Sequence, residues 1–496
     1  MLKLRHILFL SSAAIGIGAV VSLSSGLGQL ALKLHTSSSL LIGVIIGAVW
    51  FSGVILPPIV GTLSDNTRTR YGRRIPYLAI FVPLTGVMLL FMSFFVSAHT
   101  VEISSAESNA DYFVKATSAA PNGEGGYTLN LSLGSHEDRH IKQMQISLDQ
   151  SFEEAEWKPY SSTDTLSVSS YEQGQAVYAK FRIYTGFAPG WAMPLLIVGM
   201  ILASVFYNIW NAPYWALMPD ITICEERGKV GGAMQAFNII GTIVAMGVSG
   251  ALWDVNPAYA LYVLTLLIFV SGAITVFGIN ERKLIEKKGV AIENEIKVTF
   301  REAIKDFFRA REFAKFVLVG SFWWFALGTF STFFVLYVTN YLKVAEGKSL
   351  ILMGIFTIIM VIAAALLGIF ADKLGNKKVV LSICLLLGVC SMPLAWFVTQ
   401  TVYLFPIMIF VGITFGAVLV FNYAIQADLV TMGKEGVLLG IANIFMAAPM
   451  MLAAFIVGAI VAALADDYRV MWIIGPLSLL TALILVQRVD TTPCHK

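Results

Sequence analysis

Amide and aromatic side chains recur within one long apolar stretch of the chain, at about 190–218. Asn208, Asn211 and Trp215 are three and four residues apart, so on a helix they share one face. An amide both donates and accepts hydrogen bonds, and an indole ring offers a flat apolar surface. Together they suit a neutral molecule rich in hydroxyl groups. The spacing therefore predicts a binding face rather than a catalytic centre.

Similar residues in other apolar stretches extend this predicted binding face. Each of them has two open interpretations, contact with a ligand or ordinary membrane packing. In the second case the amides join helices and the Tyr and Trp side chains lie at the interface. The candidate binding residues are Asn208, Asn211, Tyr214, Trp215, Gln235, Asn238, Trp324, Tyr337, Asn422, Gln426 and Asn443.

A second group of candidates is charged and lies in GTLSDNTRTRYGRRIPY, residues 61–77. One Asp and four Arg are concentrated in this short segment between two apolar runs. An arginine–carboxylate pair at a partly dry helix end is strong and directional. The cluster therefore predicts a topology anchor, or a functional motif if the same pattern recurs in the chain.

The composition places most of the chain in lipid. Hydrophobic residues make up 57% and charged residues 13%, with a mean hydropathy of +0.76, whereas soluble domains carry about a quarter charged residues. The net charge of +3 is too small to indicate a nucleic-acid partner. A bilayer core needs about 20 apolar residues per helix. We predict twelve spans, at 8–32, 39–62, 76–98, 190–218, 230–252, 258–279, 314–341, 350–371, 378–398, 402–426, 436–464 and 469–487.

Basic residues set the expected orientation of these spans. They concentrate in the loops 63–75, 281–313 and 372–378, which fall on one side when the N-terminus is cytoplasmic. We expect the first span to be retained, because its uncharged run is longer than a signal-peptide core. We therefore expect an integral protein of a plasma or bacterial inner membrane, with both termini cytoplasmic and the acidic segment 99–189 outside.

Two charged motifs occur twice in the chain. GTLSD at 61–65 follows the second span, and GIFAD at 368–372 follows the eighth. Asp220 and Asp428 follow the fourth and tenth spans, each eight residues before a Gly. The separations within the two pairs, 307 and 208 residues, differ by about the length of segment 99–189. The chain is thus predicted to be two six-helix halves with an insertion in the first, an arrangement that places a substrate site between the halves.

These motifs resemble those of major facilitator proteins in the glycoside–pentoside–hexuronide and sucrose-transporter branches. NAPYWALMPD (211–220) and ERGKVGGAMQAF (226–237) are similar to the junction between the fourth and fifth helices of that group. The resemblance covers both halves but not the insertion, and it implies the twelve-helix major facilitator fold with alternating access. In the signature loop the matching residues are Gly61, Ser64, Asp65, Arg68, Gly72, Arg73, Arg74 and Pro76.

The resemblance also implies roles for particular residues. Trp215 matches a family tryptophan that stacks on a sugar ring, whereas Gly53 and Pro57 stand where cation-coupled sugar carriers keep carboxylates. The charged loop would close the cytoplasmic side, with Asp220 and Asp428 as partners of its arginines. The gating candidates are Asp65, Arg68, Arg73, Arg74, Asp220, Asp372 and Asp428.

Segment 99–189 has a different character, with turn-forming residues between short alternating runs. These runs lie at 127–133, 142–149, 165–171 and 176–186. Period-two alternation at this spacing predicts a small antiparallel β-sandwich. The segment resembles the immunoglobulin-like repeats of bacterial surface proteins, with Trp157 in its core. Such a domain would capture ligand, contact an extracellular partner or cap the outer vestibule.

The sequence thus predicts an all-α polytopic membrane protein with an inserted extracellular β-sandwich. Its expected function is transport of a neutral hydroxylated molecule, a sugar or glycoside, with cation coupling open. Two other functions remain open, a carrier of lipid-like molecules and a receptor or assembly protein on a carrier scaffold. We expect no enzymatic activity, no cofactor and no metal site. The predicted domains are 1–98 (spans 1–3), 99–189 (insert), 190–280 (spans 4–6), 281–313 (cytoplasmic linker) and 314–496 (spans 7–12).

Overall fold

The structure of the chain is a computed structural model. It describes residues 3–96, 98–105, 112–121, 127–135, 141–148, 158–159, 163–168, 175–184, 189–222, 224–288, 300–374, 376–429 and 435–491. Contacts between Cα atoms divide the chain into two compact units, Met1–Met92 with Leu196–Lys496, and Ser93–Leu195. Each unit is described by itself.

Helices dominate the larger unit. Among the described residues, twelve helical segments are long and apolar enough to cross a membrane, as predicted. The helices are α1 Leu4–Ser22, α2 Gly28–Lys33, α3 Ser39–Asn66, α4 Ile75–Val96, α5 Pro189–Ile221, α6 Cys224–Trp253, α7 Pro257–Gly278, α8 Glu281–Lys288, α9 Phe300–Arg309, α10 Arg311–Asn340, α11 Glu346–Leu374, α12 Lys377–Ser391, α13 Thr401–Leu429, α14 Glu435–Ala463 and α15 Met471–Val486.

Local sequence signals explain where several of these helices begin. The Ser38 hydroxyl accepts a hydrogen bond from the backbone N–H of Leu41 at the start of α3, and the Asn376 side chain caps α12 in the same way. Asn256 caps α7, whose first residue is Pro257. A side-chain acceptor at the N-cap satisfies an orphan N–H, and proline at the first position has no N–H to lose. The polar loop residues therefore fix the ends of the apolar runs.

The first span is interrupted. A π-helical turn at Leu23–Leu27 separates α1 from α2. Beside this turn, a Cβ added to Gly26 would lie 3.1 Å from both Val335 on α10 and Leu350 on α11. Irregular backbone within a bilayer is tolerated where protein covers it. The interruption of the first span therefore lies where this span contacts α10 and α11.

The helix pairs α3–α14 and α6–α11 make extensive contacts between the N-terminal helices α1–α7 and the C-terminal helices α10–α15. In the pair α3–α14, a Cβ on Gly43 would lie 2.5 Å from the carbonyl oxygen of Ala454. In the pair α6–α11, a Cβ on Gly250 would lie 2.7 Å from the carbonyl oxygen of Gly347. Only glycine permits such close backbone approach. We call this end of the helix bundle the seam end.

The loop of Asp65 to Arg74 marks the opposite end, which we call the arginine end. It follows the last turn of α3, whereas Gly43 lies near the first turn of the same helix. On α14 the order is reversed, since Ala454 at the seam end lies in the second half of that helix. The start of α14 therefore belongs to the arginine end.

The described residues of the smaller unit form two antiparallel sheets. The strands are β1 Ala98–Ser104, β2 Tyr112–Pro121, β3 Tyr127–Ser135, β4 Ile141–Ser147, β5 Lys158–Pro159, β6 Thr163–Val168 and β7 Tyr178–Tyr184, paired in the orders β1-β7-β4-β5 and β2-β3-β6.

Alternate residues of these strands form one apolar cluster. It includes Leu129 and Leu131 from β3, Met144 from β4, and Ala179 and Phe181 from β7. Side chains at every second position of a strand point to the same face, which accounts for the period-two pattern in the sequence. The immunoglobulin-like assignment stays a prediction, and Trp157 lies outside the described residues.

Candidate functional site

Arginine side chains at the arginine end converge on one carboxylate. Arg73 binds Asp220 through two hydrogen bonds, from Nε at 3.0 Å and from Nη2 at 2.5 Å. Arg74 also donates to Asp220 from Nε, at 3.0 Å, and its Nη2 pairs with Asp65. The side chains of Arg74 and Asp220 are only 5% and 11% exposed. This network joins the end of α3, the start of α4 and the end of α5, all among the N-terminal helices.

Glu281 completes the network, and sequence analysis missed it. Its fully buried carboxylate accepts hydrogen bonds from the backbone N–H groups of Arg73, Arg74 and Ile75, at 2.9–3.2 Å. A carboxylate that binds the first N–H groups of a helix also complements the helix dipole. Its position just after the sixth span, beside other charged residues, gave no distinctive signal.

The other gating candidates are distributed differently. Arg68 is exposed, and its Nη1 lies 3.5 Å from the carbonyl oxygen of Asp65. Asp428 pairs with Lys377 at 2.7 Å, which joins α12 to α13 within the C-terminal helices. The side chain of Asp372 lies outside the described part of the structure. The structure thus brings Asp65, Arg73, Arg74 and Asp220 together and places Asp428 in a separate pair.

Asn208 belongs to a buried hydrogen-bond network between α3 and α5. Its amide nitrogen donates to the Ser52 hydroxyl and to the Ser204 carbonyl oxygen, each at 2.9 Å. The two hydroxyls are 2.7 Å apart, and both donate to the carbonyl oxygen of Val49. Every member of this network is neutral. Asn208 therefore packs two helices together.

Asn211, one turn further along α5, differs from Asn208. Its side-chain oxygen is buried and has no hydrogen-bond partner among the described residues. Trp215, on the same face, is partly exposed, and its ring lies 5.5 Å from the ring of Tyr214. Tyr214 is itself fully buried, and its hydroxyl donates to the carbonyl oxygen of Leu10. The Asn211 oxygen thus lacks a partner among the described residues and Trp215 keeps part of its surface exposed, whereas Tyr214 holds α5 against α1.

The remaining binding candidates also divide into packed and accessible groups. Tyr337 is buried and donates to the carbonyl oxygen of Ala395, and Gln426 donates to the side chain of Asn422 at 3.0 Å. Trp324 is 5% exposed. The accessible side chains are Gln235 and Asn443, with Asn238 half-buried.

Charged groups at the seam end form a second cluster that sequence analysis did not identify. Glu346 accepts a hydrogen bond from Trp253 Nε1 at 2.9 Å and pairs with Lys33 at 3.3 Å. Asp254 accepts a hydrogen bond from the backbone N–H of Gly347 at 3.0 Å. These contacts cross between the N-terminal and C-terminal helices. The sequence resemblance predicted a gate only in the charged loop at 61–77, which lies at the arginine end.

A third charged group stabilises the loop between α14 and α15. Arg469 binds Asp467 and stacks between Tyr341 and Trp396, with its guanidinium carbon 4.8 Å from each ring centre. The hydrogen bond from Arg469 lowers the pKa of the Asp467 carboxyl below its usual value. The pair therefore stays charged near neutral pH.

Comparison with known families decides the fold assignment. The profile of the Major Facilitator Superfamily matches residues 177–454 and 351–493, and that of the MFS/sugar transport protein family matches residues 37–106. The chain belongs to the Major Facilitator Superfamily. A major facilitator protein of this kind is a transporter and an integral multi-pass membrane protein, not an enzyme.

One curated relative is an uncharacterised MFS-type transporter of Methanocaldococcus jannaschii. It is 24% identical over 233 residues, which is 46% of this chain. The aligned part spans about half of that relative's length, 55%.

Solved structures of other major facilitator transporters share the fold over nearly the whole chain. A nucleoside transporter has a TM-score of 0.60 at 11% identity, covering 98% of this chain and 99% of its own. A D-xylose–proton symporter has a TM-score of 0.62 at 13% identity and covers 98% of both chains. A bacterial homologue of the human lysosomal transporter Spinster, inward-facing and occupied, has a TM-score of 0.56 at 11% identity, covering 98% and 96%. At these identities the likeness shows the fold alone.

Proposed function

We propose that this major facilitator transporter moves a neutral hydroxylated molecule, a sugar or glycoside, and binds it at Asn211 and Trp215. The observation that carries the proposal is the buried side-chain oxygen of Asn211, which has no partner among the described residues. An unpaired buried acceptor costs about 1–3 kcal/mol. A ligand hydroxyl would satisfy it, while the partly exposed ring of Trp215 would cover an apolar sugar face.

The distribution of charge supports a neutral substrate. Within the candidate spans, the described Asp, Glu, Lys, Arg and His residues all lie within a few residues of a span end. Ionisable groups deep in a membrane usually mark ion pathways. The network of Ser52, Ser204 and Asn208 lies beside Gly53, where the sugar-transporter resemblance leads one to expect a carboxylate. We therefore propose that transport is not driven by cations.

One further observation favours a sugar as the substrate over a lipid-like molecule. The match of residues 37–106 is to a family described as MFS/sugar transport proteins. It agrees with the proposed glycoside–pentoside–hexuronide or sucrose-transporter branch. We further propose that the chain has the predicted domain division and cytoplasmic termini. We also propose that residues 99–189 form an immunoglobulin-like insert that faces outside.

The geometry of the helix ends suggests how the protein alternates. The seam end is joined by Gly43, Gly250 and the cluster around Glu346, so we propose that the structure is closed there. With the predicted orientation, that end faces outside and the site opens toward the cytoplasm. The network of Arg73, Arg74 and Asp220 would then be the gate that regulates closure of the arginine end, since a balanced pair of states responds to small changes in contacts.

Replacing Asn211 with leucine is expected to raise the half-saturating sugar concentration for exchange about tenfold, because one buried ligand hydrogen bond is lost. Exchange of labelled sugar across proteoliposomes that already contain unlabelled sugar would measure this. Thermal stability of Asn211→Leu should stay at or above that of the wild type, because an unpaired acceptor is removed.

Asn208→Leu is the matched control on the same helix. It removes three described hydrogen bonds, so it should lower thermal stability while the folded fraction keeps the wild-type half-saturation constant. Equal effects of both substitutions on the half-saturation constant would contradict the assignment of Asn211 to the site.

A further inference from the structure

The short helix α9 lies outside the membrane spans and has two different faces. It precedes α10 directly, and the chain bends between them at Ala310, where φ is −76° and ψ is 70°. It packs on α10 and α14, and α14 begins at the arginine end. The helix therefore lies at the arginine end of the C-terminal helices.

One face of α9 is firmly attached to these helices. Phe307 is fully buried, and its ring stacks on Phe445 of α14 with centres 5.3 Å apart and planes 5° apart. The same ring packs edge-on against Phe313 of α10 at 5.9 Å. Aromatic pairs of this geometry add stability beyond the area that they bury. This contact fixes the rotation of α9 about its own axis.

The other apolar face of α9 is exposed. Ile304 and Phe308 are four residues apart on one side of α9 and are 37% and 58% exposed. Three basic side chains near them in the sequence are also exposed, Lys305, Arg309 and Arg311, and Arg309 pairs with Asp306 at 3.5 Å. From residue 304 to 315 the chain carries four basic and two acidic residues. An apolar stripe with basic flanks is the pattern of a helix that lies in the membrane interface.

We propose that α9 is a membrane-surface helix that inserts Ile304 and Phe308 among the lipids of the leaflet at the arginine end and binds anionic headgroups through Lys305, Arg309 and Arg311. The charge decides this choice of partner, because basic residues near an anionic lipid surface are attracted to it. The apolar contact adds to it, since lipid would remove the exposed Phe308 and Ile304 side chains from water. Through Phe307, the helix then connects the lipid surface to α10 and α14.

The test uses the full chain in vesicles, with Cys224, Cys384, Cys390 and Cys494 replaced by serine and one cysteine introduced at position 308. The cysteine carries an environment-sensitive fluorophore. Vesicles are made of phosphatidylcholine alone or with added phosphatidylglycerol, and quenching by aqueous iodide is compared with quenching by a lipid-borne nitroxide. Lys305→Cys is the control on the basic flank, and Ile304→Cys repeats the test on the same apolar face.

We expect the fluorophore at 308 or 304 to show a blue shift, strong nitroxide quenching and loss of iodide quenching, all increased by phosphatidylglycerol. At 305 iodide should still quench. The triple variant Lys305→Gln, Arg309→Gln, Arg311→Gln should lose the response to phosphatidylglycerol. Strong iodide quenching at both 304 and 308 in anionic vesicles would overturn the proposal, as would protection from both quenchers, which would indicate docking on another part of the protein.

Discussion

Replacement of Gly250 with valine is expected to shift the transporter toward a state that is open at the seam end. A Cβ at this position would lie 2.7 Å from the Gly347 carbonyl oxygen and 2.8 Å from the Ile351 side chain, so the valine side chain cannot be accommodated without separation of α6 from α11. Forcing extra atoms into a packed interface costs about 1–3 kcal/mol. Because about 1.4 kcal/mol changes an equilibrium constant tenfold, this cost would raise the population of a minor state open at the seam end about fivefold or more.

The alkylation rate of a buried cysteine measures this opening. Val335, beside the interruption of the first span, is fully buried at the contact between the two sets of helices. A cysteine at position 335 should react with a membrane-impermeant maleimide about tenfold faster when Gly250→Val is present, since the reactive fraction follows the open population. This reaction is measured in proteoliposomes that contain a variant of the protein without its four native cysteines.

Gly247→Val is the matched control, because Gly247 lies one turn away on the same helix and a Cβ there would meet nothing within 4 Å. Both substitutions place the same β-branched residue in α6, so they share any cost to the helix itself. Equal alkylation rates in the two variants would show that the close approach at Gly250 does not hold the seam end closed.

Replacement of Asp220 with asparagine is expected to produce the largest loss of stability among the charged substitutions. Asp220 accepts hydrogen bonds from both Arg73 and Arg74, and the Arg74 side chain is only 5% exposed. Removal of one partner from a buried charged pair costs up to about 3–5 kcal/mol, and here Asp65 would still compensate part of the Arg74 charge. The temperature of thermal denaturation in detergent should fall clearly, and transport should fall with it.

The internal repeat supplies the control for this prediction. Asp428 occupies the corresponding position in the second half, but its pair with Lys377 is about one third exposed on each side chain. A pair of this kind contributes about 0–1 kcal/mol. Asp428→Asn should therefore leave the denaturation temperature nearly unchanged, and a loss as large as that of Asp220→Asn would show that burial does not determine the effect.

The helical part of the fold could be predicted because the bilayer imposes length and composition on each span. The twelve predicted spans all correspond to helices of the structure, with ends displaced by a few residues where polar caps such as Ser38 and Asn256 begin the helix. The four predicted strands overlap β3, β4, β6 and β7. The strands β1, β2 and β5 were not predicted, although the residues 100–104 of β1 do alternate between polar and apolar side chains.

The candidate site was less predictable, because spacing alone does not distinguish a ligand-binding amide from a packing amide. Asn208 and Asn211 share one helix face, yet only Asn208 meets the hydroxyls of Ser52 and Ser204 from helix α3 and from its own helix. That difference depends on which residues of α3 face α5, which the sequence does not specify. Glu281 and Glu346 were not predicted for the same reason, since each binds residues that are distant in the sequence.

The most direct test of the account is uptake of a panel of labelled sugars into proteoliposomes, measured with and without an imposed pH gradient. We predict saturable uptake of at least one sugar that stops at equal concentrations inside and outside, does not respond to the gradient, and weakens in Asn211→Leu. Accumulation above the outside concentration under the gradient would contradict the proposed absence of cation coupling. Failure of every sugar to enter would contradict the substrate assignment itself.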